Sequence, residues 1–187
     1  MPTTIDNPVE ILTPGQIIAK YQTQAPVDVV AIASDLGINV WKKSFPESIS
    51  GKIFRDPMNG GRTGFSIAVN ESHSLVRQRF TVAHEIAHFI LHRRKLESGD
   101  LIDDAMYRSG LSNQDETAAN RLAADILMPL PLIRKLLDAG IRDPKSLAAR
   151  LQVSLPAMKI RLGLPLDAEV PLASTRDPLS PLPKKPS

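Results

Sequence analysis

His84 and His88, four residues apart with Glu85 beside the first, have the residue types and spacing for metal-assisted hydrolysis. On a helix that spacing stacks the two Cβ atoms about 5–6 Å apart, so both imidazoles can reach one cation with Zn–N bonds of about 2.0–2.1 Å. Glu85 leans to the same side without having to ligate, and can serve as general base toward a water activated by that ion. The plainer alternative is a chance pattern on the solvated face of an amphipathic helix. The neighbours argue against it. At about 100° per residue, Leu75, Val76, Phe80, Val82, Ala83, Ile86, Ala87, Phe89 and Ile90 cover half of the cylinder, interrupted by Arg79. The other half carries His84, His88 and His92 where an exposed face would carry Lys, Glu and Gln. A helix buried on one side with histidines on the other reads as the wall of a cleft.

A catalytic zinc usually takes a third protein ligand and leaves the fourth position open. His92 shares the face but lies two turns past His84, too far for one straight helix to bring all three rings onto one ion. A third histidine six residues after His88 is absent, because position 94 is Arg94. A carboxylate from a second helix remains, and Glu116 is the best placed. Between Asn113 and Leu127 it shares a face with Ala119, Asn120, Ala123, Ile126 and Leu127. A carboxylate on a core-facing stripe needs a compensating partner. A capping box with Asn113 at the N-cap and Glu116 at N3 would account for it without a metal. Asp115 is the local competitor, about 100° away on the helix wheel.

The run from Arg77 to His92, followed by Glu116-Thr-Ala-Ala-Asn120 and Leu127-Met-Pro129, resembles the ImmA/IrrE family of zinc metallopeptidases over roughly positions 26 to 163. The resemblance implies a gluzincin-type site: His84, His88 and Glu116 holding one Zn²⁺ per chain, Glu85 as base, and Asn120 supporting the ligands from behind. It also implies a peptide-bond hydrolase acting on a helix-turn-helix repressor or antitoxin-like partner, in transcription regulation and stress response. No spacing or composition gives that substrate class.

Around these residues the chain must supply positioning elements. Thr13-Pro14 opens a short helix to about Tyr21, and Pro26 starts another that Gly37 ends as a helix C-cap would. Ile38–Lys42 reads as a strand, and so do Ser50–Arg55 and Gly64–Asn70, the last two joined by Asp56-Pro-Met-Asn-Gly-Gly. The expected fold is α+β, a gluzincin-like core with a small antiparallel sheet beside the HExxH helix. An edge strand there can bind substrate by backbone addition, and Phe65–Val69 is the candidate edge. A charged, glycine-punctuated loop from Arg93 to Ser112 separates the two site helices. In it Tyr107 is a candidate donor to the oxyanion of a tetrahedral intermediate, against the plainer role of covering apolar surface. His73 has a weaker claim of the same kind, and His92 is placed in a supporting hydrogen bond or in helix-end packing.

The last third carries a rival. Asp143-Pro144 starts a helix, and a second follows a turn near Gln152-Val-Ser154, a pair that resembles a helix-turn-helix. Residues 133–163 hold seven basic side chains against two acidic ones, more excess than the whole chain's +3. That concentration suits DNA. Against it, the second helix has few side chains suited to base edges and Pro156 in its first turn, so packing beside the core or docking a partner is the blander reading. The alternative function is a non-catalytic module that sequesters a repressor or binds DNA through residues 144–163.

Composition sets the remaining bounds. The 187 residues suit a compact domain with appendages. They divide into an N-terminal helical extension (1–25), a metallopeptidase core (26–132), the helix-turn-helix-like segment (133–163) and a Pro-rich tail read as disordered (164–187). The absence of cysteine excludes disulfides, thiol catalysis and Cys-bound zinc. Neither a signal peptide nor an apolar run of the roughly 18 residues a membrane span needs is present, so the sequence reads as cytoplasmic with no membrane partner.

Overall fold

The structure, a computed structural model, describes residues 12–98 and 112–166. Along them run α1 (Pro14–Tyr21), α2 (Val29–Asp35), β1 (Ile38–Lys43), β2 (Gly51–Arg55), β3 (Phe65–Asn70), α3 (Leu75–Ser98), α4 (Asn113–Leu127), α5 (Leu130–Asp138), α6 (Pro144–Leu151) and α7 (Leu155–Arg161). Tyr107 and most of the Pro-rich tail lie outside the described residues.

Local chemistry explains where the first helices begin. Thr13 and Gln16 form a capping box with Pro14 just inside α1. α2 does not start at Pro26, as the sequence suggests. Its N-cap is Asp28, whose carboxylate accepts from the N–H groups of Val30 and Ala31 at 3.1 and 3.0 Å, satisfying two of the amides a helix start leaves unpaired. Gly37 follows the helix at φ +82°, the left-handed conformation that releases the chain into β1.

The three strands stand in the order β1-β3-β2, with β1 parallel and β2 antiparallel to β3. The sheet is therefore mixed rather than antiparallel, and Phe65–Val69 is its centre rather than its edge. The alternation Phe-Ser-Ile-Ala-Val-Asn suggests one solvated face, yet all six residues of β3 are buried. Its polar members carry partners from elsewhere in the chain. Ser66 donates to Asp56 at 2.8 Å and accepts from the Trp41 indole at 3.0 Å. The Asn70 amide donates to the carbonyls of Phe45, Pro46 and Ile49. Satisfied polar groups can be buried without the cost of a lost hydrogen bond.

α3 lies across the sheet. Val82, Ala83, Ile86 and Phe89 join Ile53, Phe65 and Ile67 in the core, and Phe65 meets Phe89 edge to face with centroids 5.5 Å apart. Burying each large aliphatic or aromatic side chain contributes about 1.5–3 kcal/mol, which fixes the face α3 turns outward. Arg79, on the apolar half, is accommodated by donating to the Val27 carbonyl at 2.7 Å; its burial lowers the guanidinium pKa from its ordinary value, with Asp28 opposing. α4 packs against α3, with Ala83 and Ala87 on one helix and Ala119 and Ala123 on the other all fully buried. Side chains this small let the two backbones approach closely.

α3 also runs further than the sequence suggests. Residues 93–98 continue the helix beyond a break at His92 (φ −124°, ψ 23°), so the separating loop does not begin at Arg93. Arg93 and Glu97, paired at 2.8 Å across one turn, support this extension.

Candidate metal centre

Three side chains from two helices converge beside β2. The Nε2 atoms of His84 and His88 lie 2.8 Å apart, and the two Glu116 oxygens stand 3.5 Å from His84 Nε2 and 3.4 Å from His88 Nε2. One ligand-capable atom from each lies within 4.8 Å of the others. Two tetrahedral ligands on bonds of about 2.0–2.1 Å stand roughly 3.3 Å apart. The carboxylate oxygens sit at that spacing, and the histidine pair slightly inside it. Two imidazoles and one carboxylate are also a donor set that catalytic zinc accepts, so the residues present fit a divalent cation.

Packing prepares His88 for that role. It is fully buried, and burial first, then the neighbouring His84 and His92, push its imidazole down to about 3, with Asp115 pulling the other way. The ring is thus neutral at physiological pH, the form that ligates metals. His84 is more open, its side chain 17% exposed, and lies near-parallel to the Phe80 ring with centroids 6.0 Å apart.

Glu85 is buried at 4% exposure and accepts a hydrogen bond from the backbone N–H of Ile53 at 3.0 Å. Asp56 N–H donates to Gly64 and Asn70 N–H to Ser50, each at 2.8 Å. With the antiparallel register this leaves the backbone groups of residues 51, 53 and 55 facing away from β3. Glu85 therefore sits on the outer edge of β2, and β2 rather than β3 is the strand that borders the site. Ser50 and Gly51 line the cleft of about 340 Å³ that contains His84, Glu85, Glu116 and Asn120.

The capping pattern of α4 is displaced by one residue from the sequence reading. Ser112, not Asn113, is the N-cap, and Asp115 occupies N3 in a reciprocal box with it. Asp115 also pairs with Lys95 at 3.2 Å, and its carboxyl is held below the usual range first by the Ser112 backbone N–H and then by Lys95. The cap thus uses the residue that competes with Glu116 and leaves Glu116 turned toward the histidines.

Asn120 lines the cleft one turn past Glu116. His92 lies outside the three-residue cluster, its Nδ1 3.8 Å from Asp115 and its ring 5.5 Å from that of His88. His73 contacts the Glu47 carbonyl at 3.1 Å and does not line the cleft. The sequence reading missed Ser50 and Phe80 as cleft residues, and left Arg77, on the same helix half as His84, without a role. Arg77 reaches the Ser50 hydroxyl at 2.9 and 3.2 Å, and it shares the His84 face two turns earlier, a signal the helix wheel already held.

The helix-turn-helix-like pair is present as α6 and α7, joined through Gln152 in the left-handed conformation (φ 53°). Its basic side chains on α7 face inward. Arg161 pairs with Asp125 at 2.7 Å and donates to the Met128 carbonyl at 2.9 Å, and Lys159 is buried, reaching the Leu166 carbonyl at 2.9 Å.

Comparison with known proteins places the chain in a family. Residues 33–163 match the model of a peptidase family described as the IrrE N-terminal-like domain. A relative, the radiation response metalloprotease IrrE of Deinococcus radiodurans, is 44% identical over 75 residues, which cover 38% of this chain and 22% of that protein. The chain therefore aligns with only about a fifth of the relative's length. A solved Mycobacterium tuberculosis transcriptional regulator is similar in fold, with a TM-score of 0.53 at 13% identity over 81% of this chain and 46% of that one.

Proposed function

We propose that this chain, which belongs to the IrrE N-terminal-like domain family, is a zinc-dependent metalloendopeptidase with a gluzincin-type site. The observation that carries the reading is the convergence of His84, His88 and Glu116 beside a buried Glu85. His84, His88 and Glu116 would hold the ion, and a zinc ion so held polarises the scissile carbonyl and lowers the pKa of the attacking water. Glu85 takes the proton from that water and passes it to the leaving amine. Ile53 N–H keeps the Glu85 carboxylate aimed into the cleft, and Phe80 restricts His84. An extended peptide adds along β2, where the backbone of Gly51 faces the cleft.

The substrate we propose is a helix-turn-helix repressor, with a role in a stress response as the name of the Deinococcus relative suggests for that protein. No helix among the described residues is long and apolar enough to cross a membrane. The alternative, repressor sequestration or DNA binding through residues 144–163, has its basic excess in its favour. The inward contacts of Lys159 and Arg161 and the intact base weigh against it.

The deciding experiment co-expresses wild type or Glu85→Gln with a candidate helix-turn-helix repressor from the same genome, following repressor integrity, promoter output and bound zinc. Cleavage by wild type and none by Glu85→Gln, with zinc retained in both, is the expected result. Relief of repression by both proteins with the repressor intact would sink the peptidase reading.

A further inference from the structure

A second hollow adjoins the cleft. It encloses about 300 Å³, is lined mainly by apolar side chains, and lies between the start of α3, the end of α4 and the turn joining α6 to α7. Val76 and Phe80 form one wall, Leu127 and Met128 another, and Val153 and Ala157 the third. Leu127, Met128 and Val153 are buried, so the walls are set by core packing. Its volume is at the small end of ligand pockets, space for one large side chain rather than a cofactor. Ser74, Arg77 and Ser154, all exposed, add a polar rim.

Two residues, Arg77 and Phe80, belong to both this hollow and the metal cleft. Phe80 stands one helical turn, about 5.4 Å, before His84, and an extended peptide advances about 3.3 Å per residue. A peptide crossing the cleft therefore brings a side chain one or two residues from the scissile bond over this opening. We infer that the hollow is a substrate subsite for a large apolar side chain, and that the helix-turn-helix-like pair exists to build its outer wall. This rests on the peptidase reading and gives it a specificity. It also gives α6 and α7 a role that needs no nucleic acid: Leu147, Leu151 and Met158 are buried in the core and hold Val153 and Ala157 against the hollow.

The test uses the full chain carrying Glu85→Gln, loaded with zinc, and a positional-scanning library of dye-labelled decapeptides read by fluorescence anisotropy. One position should prefer Leu, Met or Phe over Gly or Asp by about tenfold or more, the scale on which apolar pockets discriminate. Adding Ala157→Trp should abolish that preference while leaving zinc content unchanged. Because Trp could disturb the fold, Ala157→Leu and the ¹³C-methyl resonance of Met128 provide independent readouts. The Leu variant should narrow the preference toward smaller side chains, and the Met128 signal of the Glu85→Gln protein should shift on adding a preferred peptide but not its Gly counterpart. A preference that survives both substitutions, a silent Met128 methyl, or no peptide binding overturns the subsite. Failure of wild type to cleave any peptide, with the binding preference intact, overturns the peptidase reading instead.

Discussion

The carboxylate of Glu85 and the backbone N–H of Ile53 are joined by a buried hydrogen bond of 3.0 Å. The bond ties the proposed base to the strand along which substrate would lie, and gives Glu85 a structural role separable from proton transfer. Glu85→Leu strands the Ile53 N–H, which costs about 1–3 kcal/mol, whereas Glu85→Gln still offers an oxygen. The Leu variant should therefore melt several degrees below wild type and the Gln variant close to it. Equal melting of the two variants would mean the bond adds nothing to the fold.

Gly51, the first residue of β2, leaves no room for a side chain. A Cβ there would stand 2.5 Å from the Ala68 carbonyl oxygen and 2.7 Å from Thr81 Cγ2. The first obstacle is backbone and cannot swing aside, so Gly51→Ala should lose about 1–3 kcal/mol, as overpacking does. Urea denaturation reads the loss directly, and an unchanged midpoint would contradict the close approach.

Much of this site is legible in the sequence because its signals are local. His84, Glu85 and His88 lie within two turns of one helix, and Glu116 shares a stripe with buried alanines. What escaped depends on distant chain. Phe65–Asn70 alternates like a half-solvated edge strand, and only carbonyls from residues 45–49 and the Trp41–Ser66–Asp56 chain make its polar side chains compatible with the centre of the sheet. The cap of α4 moved by one position because both Ser112 and Asn113 are good N-caps, and local sequence does not separate them. The subsite needs three segments, around residues 76, 127 and 157, that meet only in the folded chain.

Asp143 gives a pH prediction. It caps α6 by accepting from Ser146 N–H at 2.8 Å, and bonding to that backbone is the first cause holding its carboxyl below the ordinary value. A depressed carboxylate stabilises the fold above its unfolded pKa, about 3.9, and loses that contribution as pH falls through the lower folded value. Asp143→Asn keeps an acceptor but does not titrate. The melting-temperature difference between wild type and this variant should be constant above about pH 5 and shift against wild type below about pH 4. A difference that ignores pH would refute the assignment.

Glu116 and Asp115 are adjacent but should respond in opposite ways. Glu116 points at the histidines, while Asp115 closes the capping box and pairs with Lys95. Glu116→Ala should lose most bound zinc, measured by metal analysis after dialysis, while melting near metal-free wild type when both are compared without zinc. Asp115→Ala should keep its zinc and melt lower. The reverse pattern would transfer the ligand role to Asp115.

Arg161 separates the packing role of the last two helices from a nucleic-acid role. Its side chain is 18% exposed, and its guanidinium bridges α7 to α4 through the Asp125 carboxylate and the Met128 carbonyl. A hydrogen bond to a charged group contributes about 1.5–3 kcal/mol, and reversing the charge adds repulsion from Asp125. Arg161→Glu should therefore lower stability measurably and loosen the wall that Val153 and Ala157 present to the apolar hollow. A DNA-binding helix predicts something else. There, Arg161→Glu and Lys159→Glu would each weaken duplex affinity and reduce its salt dependence by about one counterion, with little effect on melting. Because both cations are already engaged by the protein, the expected outcome is a lower melting temperature with duplex affinity and its salt slope the same as wild type.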